Sequence, residues 1–392
     1  MLLARGLRGF GDGLLSLLLP VWLAERGFGA AELGAIATAT LVGSSALTLL
    51  VGFAGRALGP RGALLAAAAL MAATGVAFVA ADGFWPLLVV AFLGTLNPSA
   101  GEASVFLPLE QARLSDAAEG RARTALFARY SLIGALAAAG GALAAALPEL
   151  APHWLGVPFA AALDACFLFY GALGLALLPI YLGLPRTARH ALARGGAPLR
   201  RSRRFVFRLA ALFAFDSFGG GFVLQSLLAL WLFQRFDLSL ATAAQVFFWT
   251  GVLSAFSYPL AARLAGRFGL INTMVFSHLP ANACLALAAF APNLAAALAL
   301  LLIRAALSQM DVPTRTAYVM AIVPPEERTA AASVMAVSRS LAQSLSPALA
   351  GAMFAASPFG WPLVVGGALK IAYDLALLAQ FGKVKPPEET RG

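Results

Sequence analysis

The sequence predicts an all-α membrane protein: twelve transmembrane helices in two pseudo-symmetric six-helix bundles. Three observations carry that expectation. Apolar residues fill 60% of the 392 positions and charged residues only 12%, with mean hydropathy +0.83, whereas a water-soluble domain carries about 25% charged residues. Apolar stretches of bilayer-crossing length, about 20 residues each, recur along the whole chain. The second half also repeats short motifs of the first. This composition excludes a cytosolic enzyme, a disordered scaffold and a secreted disulfide protein. Cys166 and Cys284 both lie in apolar runs. Their placement suits small buried hydrophobes, leaves a pairing open, and offers no metal-ligand spacing.

Taken in order, the predicted spans are 6–25, 31–53, 62–80, 84–110, 124–147, 157–183, 205–233, 241–262, 270–290, 293–321, 330–354 and 362–382. The apolar stretch that Arg5 and Arg8 precede contains Asp12 and leads directly into a second one, so it reads as a retained span and not as a cleaved leader. Turn chemistry separates the spans: Leu58-Gly59-Pro60, Asp82-Gly83, the prolines of 148–152, Pro292-Asn293, Pro324-Pro325 and Pro358-Phe359-Gly360. No segment alternates with period two, which leaves helices as the spanning element.

Charge placement orients the bundle. With the N-terminus inside, 21 of the 28 Lys and Arg residues fall on the cytoplasmic side, two outside (Arg26 and Arg235) and five within spans. Such an asymmetry fixes both termini in the cytoplasm. It also explains the net charge of +10 without a nucleic-acid partner. The longest connection, 185–204, is rich in arginine and has no apolar helical face. It divides the chain into an N-terminal bundle (1–184) and a C-terminal bundle (205–392). The two copies align at offsets of 205–208: Gly9–Gly13 with Ser217–Gly221, Leu107–Arg113 with Val312–Tyr318, and Arg123-Thr124-Ala125 with Arg328-Thr329-Ala330. Six spans is an even number, so the repeats share one orientation.

Twelve spans, a six-plus-six division and a long basic middle loop together resemble the major facilitator superfamily over the full length of the chain. That family carries a loop signature near G-x-L-A-D-R-x-G-R-R between spans 2 and 3. Here the loop reads from Gly52 through Arg56 and Gly59 to Arg61, and its second copy from Ala262 through Gly266 and Arg267 to Gly269. The glycine and basic positions are kept. The acidic position is Arg56 in one copy and Gly266 in the other, so a latch between the halves must be built differently. Arg304 in span 10 loosely echoes the family's span-4 arginine motif. Gly134, Gly140 and Gly141 of span 5 lack the proline of its antiporter motif. The resemblance implies that spans 1, 4, 7 and 10 line a central cavity and that spans 3, 6, 9 and 12 lie outermost.

Ionisable groups within a bilayer are costly and mark functional or paired positions. They fall on spans 1 (Asp12), 4 (Glu102, Glu110), 7 (Asp216) and 10 (Arg304, Asp311, Arg315), with Arg129 on span 5 and Arg339 on span 11. Arg304, Ser308, Asp311 and Arg315 form one stripe if span 10 is a continuous helix. Glu110 and Arg315 are repeat mates of opposite charge. They suggest an ion pair between the halves, either a gate or a purely structural bridge. Arg304 needs an acid from another helix, with Asp216 the first candidate, or else a bound anion. Asp216 stands before Gly219, Gly220 and Gly221, as expected of a kinked gating helix or of close glycine packing. Lys370 and Asp374 read as an i,i+4 pair on outer span 12. His153, His190 and His278 are placed near span ends and give no metal site.

The expected function is secondary transport of a small polar or anionic solute by alternating access, coupled to protons. Substrate contacts fall to Arg304, Asp311, Arg339, Glu102 and Asp12. Asp216 and Asp311 are the proton carriers. Glu110, Arg315, Arg56, Arg267, Gly219 and Gly220 form the gates. No cofactor, metal or nucleic acid is expected, and the molecule is read as a monomer in the bilayer of a plasma membrane, of bacterial inner-membrane type. The alternatives are a multidrug or metabolite efflux antiporter, an integral membrane enzyme using Glu102 and Asp311 as acid and base, and a sensor without transport.

Overall fold

The computed structural model describes residues 1–99, 104–117, 120–185, 199–382 and 384. Among the described residues the chain is helical and contains no β-strand. The first span is α1 (Leu2–Glu25). The second and third are one element, α2 (Ala30–Ala80), broken at Gly59. There φ is +69°, a left-handed conformation that only glycine adopts without strain, and Pro60 follows at once. The remaining spans are built from α3 (Phe84–Leu93), α4 (Phe106–Ala117), α5 (Gly120–Ala144), the short connecting α6 (Leu147–Leu155), α7 (Phe159–Leu182), α8 (Arg203–Gly221), α9 (Gln225–Phe236), α10 (Leu240–Phe268), α11 (Leu270–Ala288), α12 (Leu294–Ser308), α13 (Asp311–Ile322), α14 (Arg328–Ala356) and α15 (Trp361–Phe381). Among the described residues, ten helical segments are long and apolar enough to cross a membrane. The other two expected spans are the α3–α4 segment, which is interrupted, and α14, which is 29 residues long but carries Arg339, Gln343 and several serines.

Spans 4, 7 and 10 are each built from two helices. Pro313 is the third residue of α13, a position where an amide N–H has no intrahelical partner; in a continuous helix it would leave the carbonyl of Gln309 without a donor. Pro108 is likewise the third residue of α4, 205 residues earlier. Span 7 breaks differently, over Phe222–Leu224 after three glycines, each of which disfavours helix by about 1 kcal/mol. The expected continuous stripe on span 10 is therefore corrected: Arg304 and Ser308 belong to α12, whereas Asp311 and Arg315 belong to α13.

The residues group into two compact units. Unit 1 contains Met1–Arg194, Leu224–Gly251 and Pro347–Pro358. Within it α1 packs on α5, α7 and α9, and α2 on α3 and α7. The rings of Trp22, Phe78 and Phe167 fill its core, with Trp22 and Phe167 centroids 4.7 Å apart. At the C-terminal end of α1, Arg26 lies 3.7 Å over the Trp22 ring and donates to Asp164 at 2.6 Å. Unit 2 contains Gly195–Val223, Val252–Ser346 and Phe359–Gly392. Its main apolar cluster joins Val206, Leu209 and Phe213 of α8 to Met274 and Val275 of α11, Tyr318 of α13 and Tyr373 and Leu377 of α15.

Candidate functional site: two buried charge networks

In unit 1 the network is built on α1. Because that helix begins at Leu2, Arg8 stands almost two turns inside it and is only 1% exposed. Its guanidinium pairs with Glu110 of α4, which is fully buried, and lies 4.5 Å over the Phe106 ring. The hydroxyls of Tyr130 (α5) and Tyr181 (α7) donate to the two oxygens of the same carboxylate, each at 2.5 Å. Glu110 thus receives three donors from three helices, the arrangement that makes a buried carboxylate tolerable. Asp12 is buried one turn further along α1, with Arg8 and Arg5 as its charged neighbours. Arg5 and Arg8, counted from the sequence with the cytoplasmic cations, are buried in the protein. Among the described residues Glu110 has an ion pair with Arg8, a partner that its charge-reversed repeat mate Arg315 did not suggest.

In unit 2 the network joins four helices. Lys370 Nζ (α15) donates to Asp216 Oδ1 (α8) at 2.6 Å, and Arg315 Nη1 (α13) lies 3.4 Å from the other oxygen, Oδ2. Arg315 Nη2 also meets Asp311 Oδ2 at 3.2 Å, one turn earlier on α13, where an acid in the first turn complements the helix dipole. The Arg315 guanidinium lies 5.2 Å over the Phe213 ring. One turn beyond Lys370, Asp374 Oδ1 contacts His278 Nδ1 of α11 at 2.9 Å, and its Oδ2 accepts from Asn282 Nδ2 at 3.0 Å.

These contacts correct three further expectations. Lys370 and Asp374 are not each other's partners: the lysine is bound to Asp216 and the acid to His278 and Asn282. His278 lies in the middle of α11, not near a span end, and is buried. Asp216, the acid first considered for Arg304, is held by Lys370 and Arg315. Gly219 lies close to the lysine: a Cβ there would stand 3.1 Å from its Cγ, a tight approach, whereas one on Gly220 would be 3.8 Å from Nζ, an ordinary contact. The helix signal in the sequence was the spacing His278–Asn282, one face of span 9, which no charge pattern marked.

Arg304 is half-buried on α12. Arg339 of α14 donates Nε to Ser217 Oγ at 3.0 Å, next to Asp216. Arg267 is exposed, over the Phe268 ring at 5.4 Å. Glu102 and the Arg56 side chain lie outside the described residues. Beside α13, the carboxylate of Glu327 accepts from the backbone N–H groups of Arg200, Arg201 and Ser202 and from the Ser202 hydroxyl, at 2.5–3.1 Å. The hydroxyl bond first, then the backbone donors, push its pKa down to about 2 from the ordinary 4.5.

Comparison with known proteins places this architecture. Over 411 aligned residues the chain is 22% identical to Uncharacterized membrane protein YJR124C of Saccharomyces cerevisiae, covering 96% of this chain and 92% of that protein. The nucleoside transporter NupG superposes with a TM-score of 0.72 at 13% identity, covering 98% of this chain and 98% of that one. The xylose transporter XylE of E. coli gives 0.76 at 15% identity, covering 99% and 98%. These structural likenesses show the fold. The family model of the Major Facilitator Superfamily matches residues 1–309, and with apolar helices along its length the chain is a multi-pass membrane protein that belongs to that superfamily of transporters.

Proposed function

We propose that this protein is a secondary transporter that moves a small polar or anionic solute by alternating access and couples the movement to protons. The observation that carries the reading is the buried Asp216–Lys370–Arg315–Asp311 network, set where span 10 is broken and within two turns of the break in span 7. A transporter needs an acid that can exchange partners as the protein changes state, and an acid already shared between a lysine and an arginine is such a group. Fold relatives that carry nucleosides and xylose support a polar solute. The cationic side chains Arg304 and Arg339 favour an anionic one, with Asp311, Asp12 and Glu102 as further solute contacts. In this reading the six-span halves are the moving bodies, Gly219, Gly220, Glu110, Arg315, Arg56 and Arg267 serve the gates, and the molecule acts as a monomer in a plasma membrane. Both termini are placed in the cytoplasm.

Purified protein in liposomes tests this. A panel of nucleosides, sugars, carboxylates and organic phosphates is offered with and without an imposed pH gradient. Accumulation of one class under the gradient is expected, and Asp216→Asn or Asp311→Asn should abolish it while leaving solute exchange measurable. If both variants still concentrate solute, coupling through these acids is wrong. If only lipophilic cations move, the solute class is wrong and drug efflux replaces it.

A further inference from the structure

The buried side chains of unit 2 do not balance. Asp216, Asp311 and Asp374 are three carboxylates, and among the described residues the buried permanent cations beside them are two, Lys370 and Arg315. The third basic group is His278. Burying an uncompensated charge is expensive enough that a protein takes up a proton instead. His278 is the group placed to take it. His278 Nδ1 is 2.9 Å from Asp374 Oδ1, and the Asn282 amide nitrogen, 3.1 Å from the same Nδ1, donates to Asp374 Oδ2 at 3.0 Å. A bare Nδ1 would set its lone pair against a carboxylate, so Nδ1 carries its hydrogen whether the ring is neutral or charged. A second ring proton, on Nε2, makes the imidazolium and brings these buried groups to neutrality.

We propose that His278 and Asp374, held by spans 9 and 12, form a proton-binding site whose occupancy decides which acid Lys370 pairs with. Lys370 precedes Asp374 by four residues on α15, so its ammonium can reach either that acid along its own helix or Asp216 on α8. With the proton present, His278 satisfies Asp374 and Lys370 lies on Asp216, the arrangement seen. When the proton leaves, Asp374 is the less compensated acid, and Lys370 swings to it along its own helix. Asp216 is then left to Arg315 alone, beside the broken part of span 7. The proton travels from His278 Nε2 to water, the Nδ1–H bond to Asp374 is kept, and no other bond is made or broken. The groups facing His278 are Asp374, Lys370 and Tyr373 of α15, Asp311 of α13, Asp216 of α8 and Asn282 of its own helix. The consequence for transport rests on the proton-coupled reading above, whereas the site itself does not.

The test uses full-length protein in lipid nanodiscs, with His153→Gln and His190→Gln making His278 the sole histidine and Lys383→Arg and Lys385→Arg making Lys370 the sole lysine. The imidazole ¹⁵N and lysine ¹⁵Nζ signals are followed from about pH 5 to pH 9, the range where a histidine switches. One shared midpoint for His278 and Lys370 is expected. Asp374→Asn should lower the proton affinity of His278 by about ten-fold or more, one pH unit, and Lys370→Gln should raise it. If His278 keeps one protonation state throughout, or if Lys370→Gln leaves the midpoint unmoved, the site is overturned. Should Asp374→Asn fail to fold, the parent titration and the lysine variant still decide. Solute flux plays no part in the readout. Coupled transport with a silent His278 sinks this site alone, and a titrating His278 in a protein without coupled transport sinks the transport reading alone.

Discussion

The two buried networks occupy equivalent places in the repeat and are built with opposite signs. Arg8 of span 1 corresponds, at an offset of 208, to Asp216 of span 7, and Glu110 of span 4 corresponds, at 205, to Arg315 of span 10. One unit therefore holds a cation on its first helix and an acid on its fourth, and the other holds the reverse. Their neighbours differ in kind. Around Glu110 every added donor is a tyrosine hydroxyl, which carries no charge and has no second acid to visit. Around Asp216 the donors are charged and shared: Arg315 also serves Asp311, and Lys370 has Asp374 one turn away. Arg8 also has Asp12 one turn along its own helix, so the contrast lies in the donors around the acid: two neutral hydroxyls at Glu110, two charged and shared groups at Asp216. Duplicated position does not imply duplicated role, because the role depends on the donors around the acid.

That contrast is sharpest in stability. Glu110→Gln leaves Arg8 buried without its counter-ion, and loss of one partner from a buried pair costs about 3–5 kcal/mol. The expected result is a large fall in the thermal unfolding temperature in detergent, partly restored by combining Arg8→Met with Glu110→Met. A variant with an unchanged unfolding temperature would break the distinction between the two units. Lys370→Met should cost less, about 1–3 kcal/mol, since Arg315 still faces Asp216, and should show chiefly as lost gradient-driven accumulation in liposomes. The opposite ranking of the two variants would mean that the second network is the structural one.

A smaller effect is expected at Arg304. Replacing it by lysine keeps the charge but removes the planar fork that matches a carboxylate or phosphate. The transported solute should bind about ten-fold more weakly or worse, the worth of one charge-assisted hydrogen bond at ~1.5–3 kcal/mol, as read from its protection against thermal unfolding. Unchanged binding in Arg304→Lys and Arg304→Gln would make the arginine structural and remove the case for an anionic solute. The smallest effect belongs to Glu327. Its carboxyl titrates lower folded than unfolded, about 2 against 4.5, so its contribution is complete above about pH 4.5 and disappears as pH falls through 2. Glu327→Gln should be the less stable protein at neutral pH, and the gap between the two should close with acid. A gap that widened on acidification would exclude the capping role.

The spans were legible because their signal is additive: some twenty apolar residues outvote one misplaced group, and the helix ends fall within a few residues of the turn chemistry that predicted them. Asp216, Asp311 and Arg315 were legible as buried charges for the same reason, being isolated in apolar surroundings. Their partners were not. Arg8 counts with the cytoplasmic cations until the fold sets it against Glu110. Lys370 and Asp374 satisfy the i,i+4 rule so well that local spacing conceals the tertiary competitors, Asp216 on one side and His278 with Asn282 on the other. The break in span 10 was signalled by Pro313, yet the apolar count runs across that proline and hides it.

Both ends of the basic connection between the halves are tied down. Arg113 donates twice to the carbonyl of Pro185, at 3.2 Å each, and Glu327 clasps Arg200–Ser202. Each clasp binds a chain end to its own unit through a side chain that neither buried network uses. Removing one, by Arg113→Gln or Glu327→Gln, loosens that chain end without touching a single charge of either network.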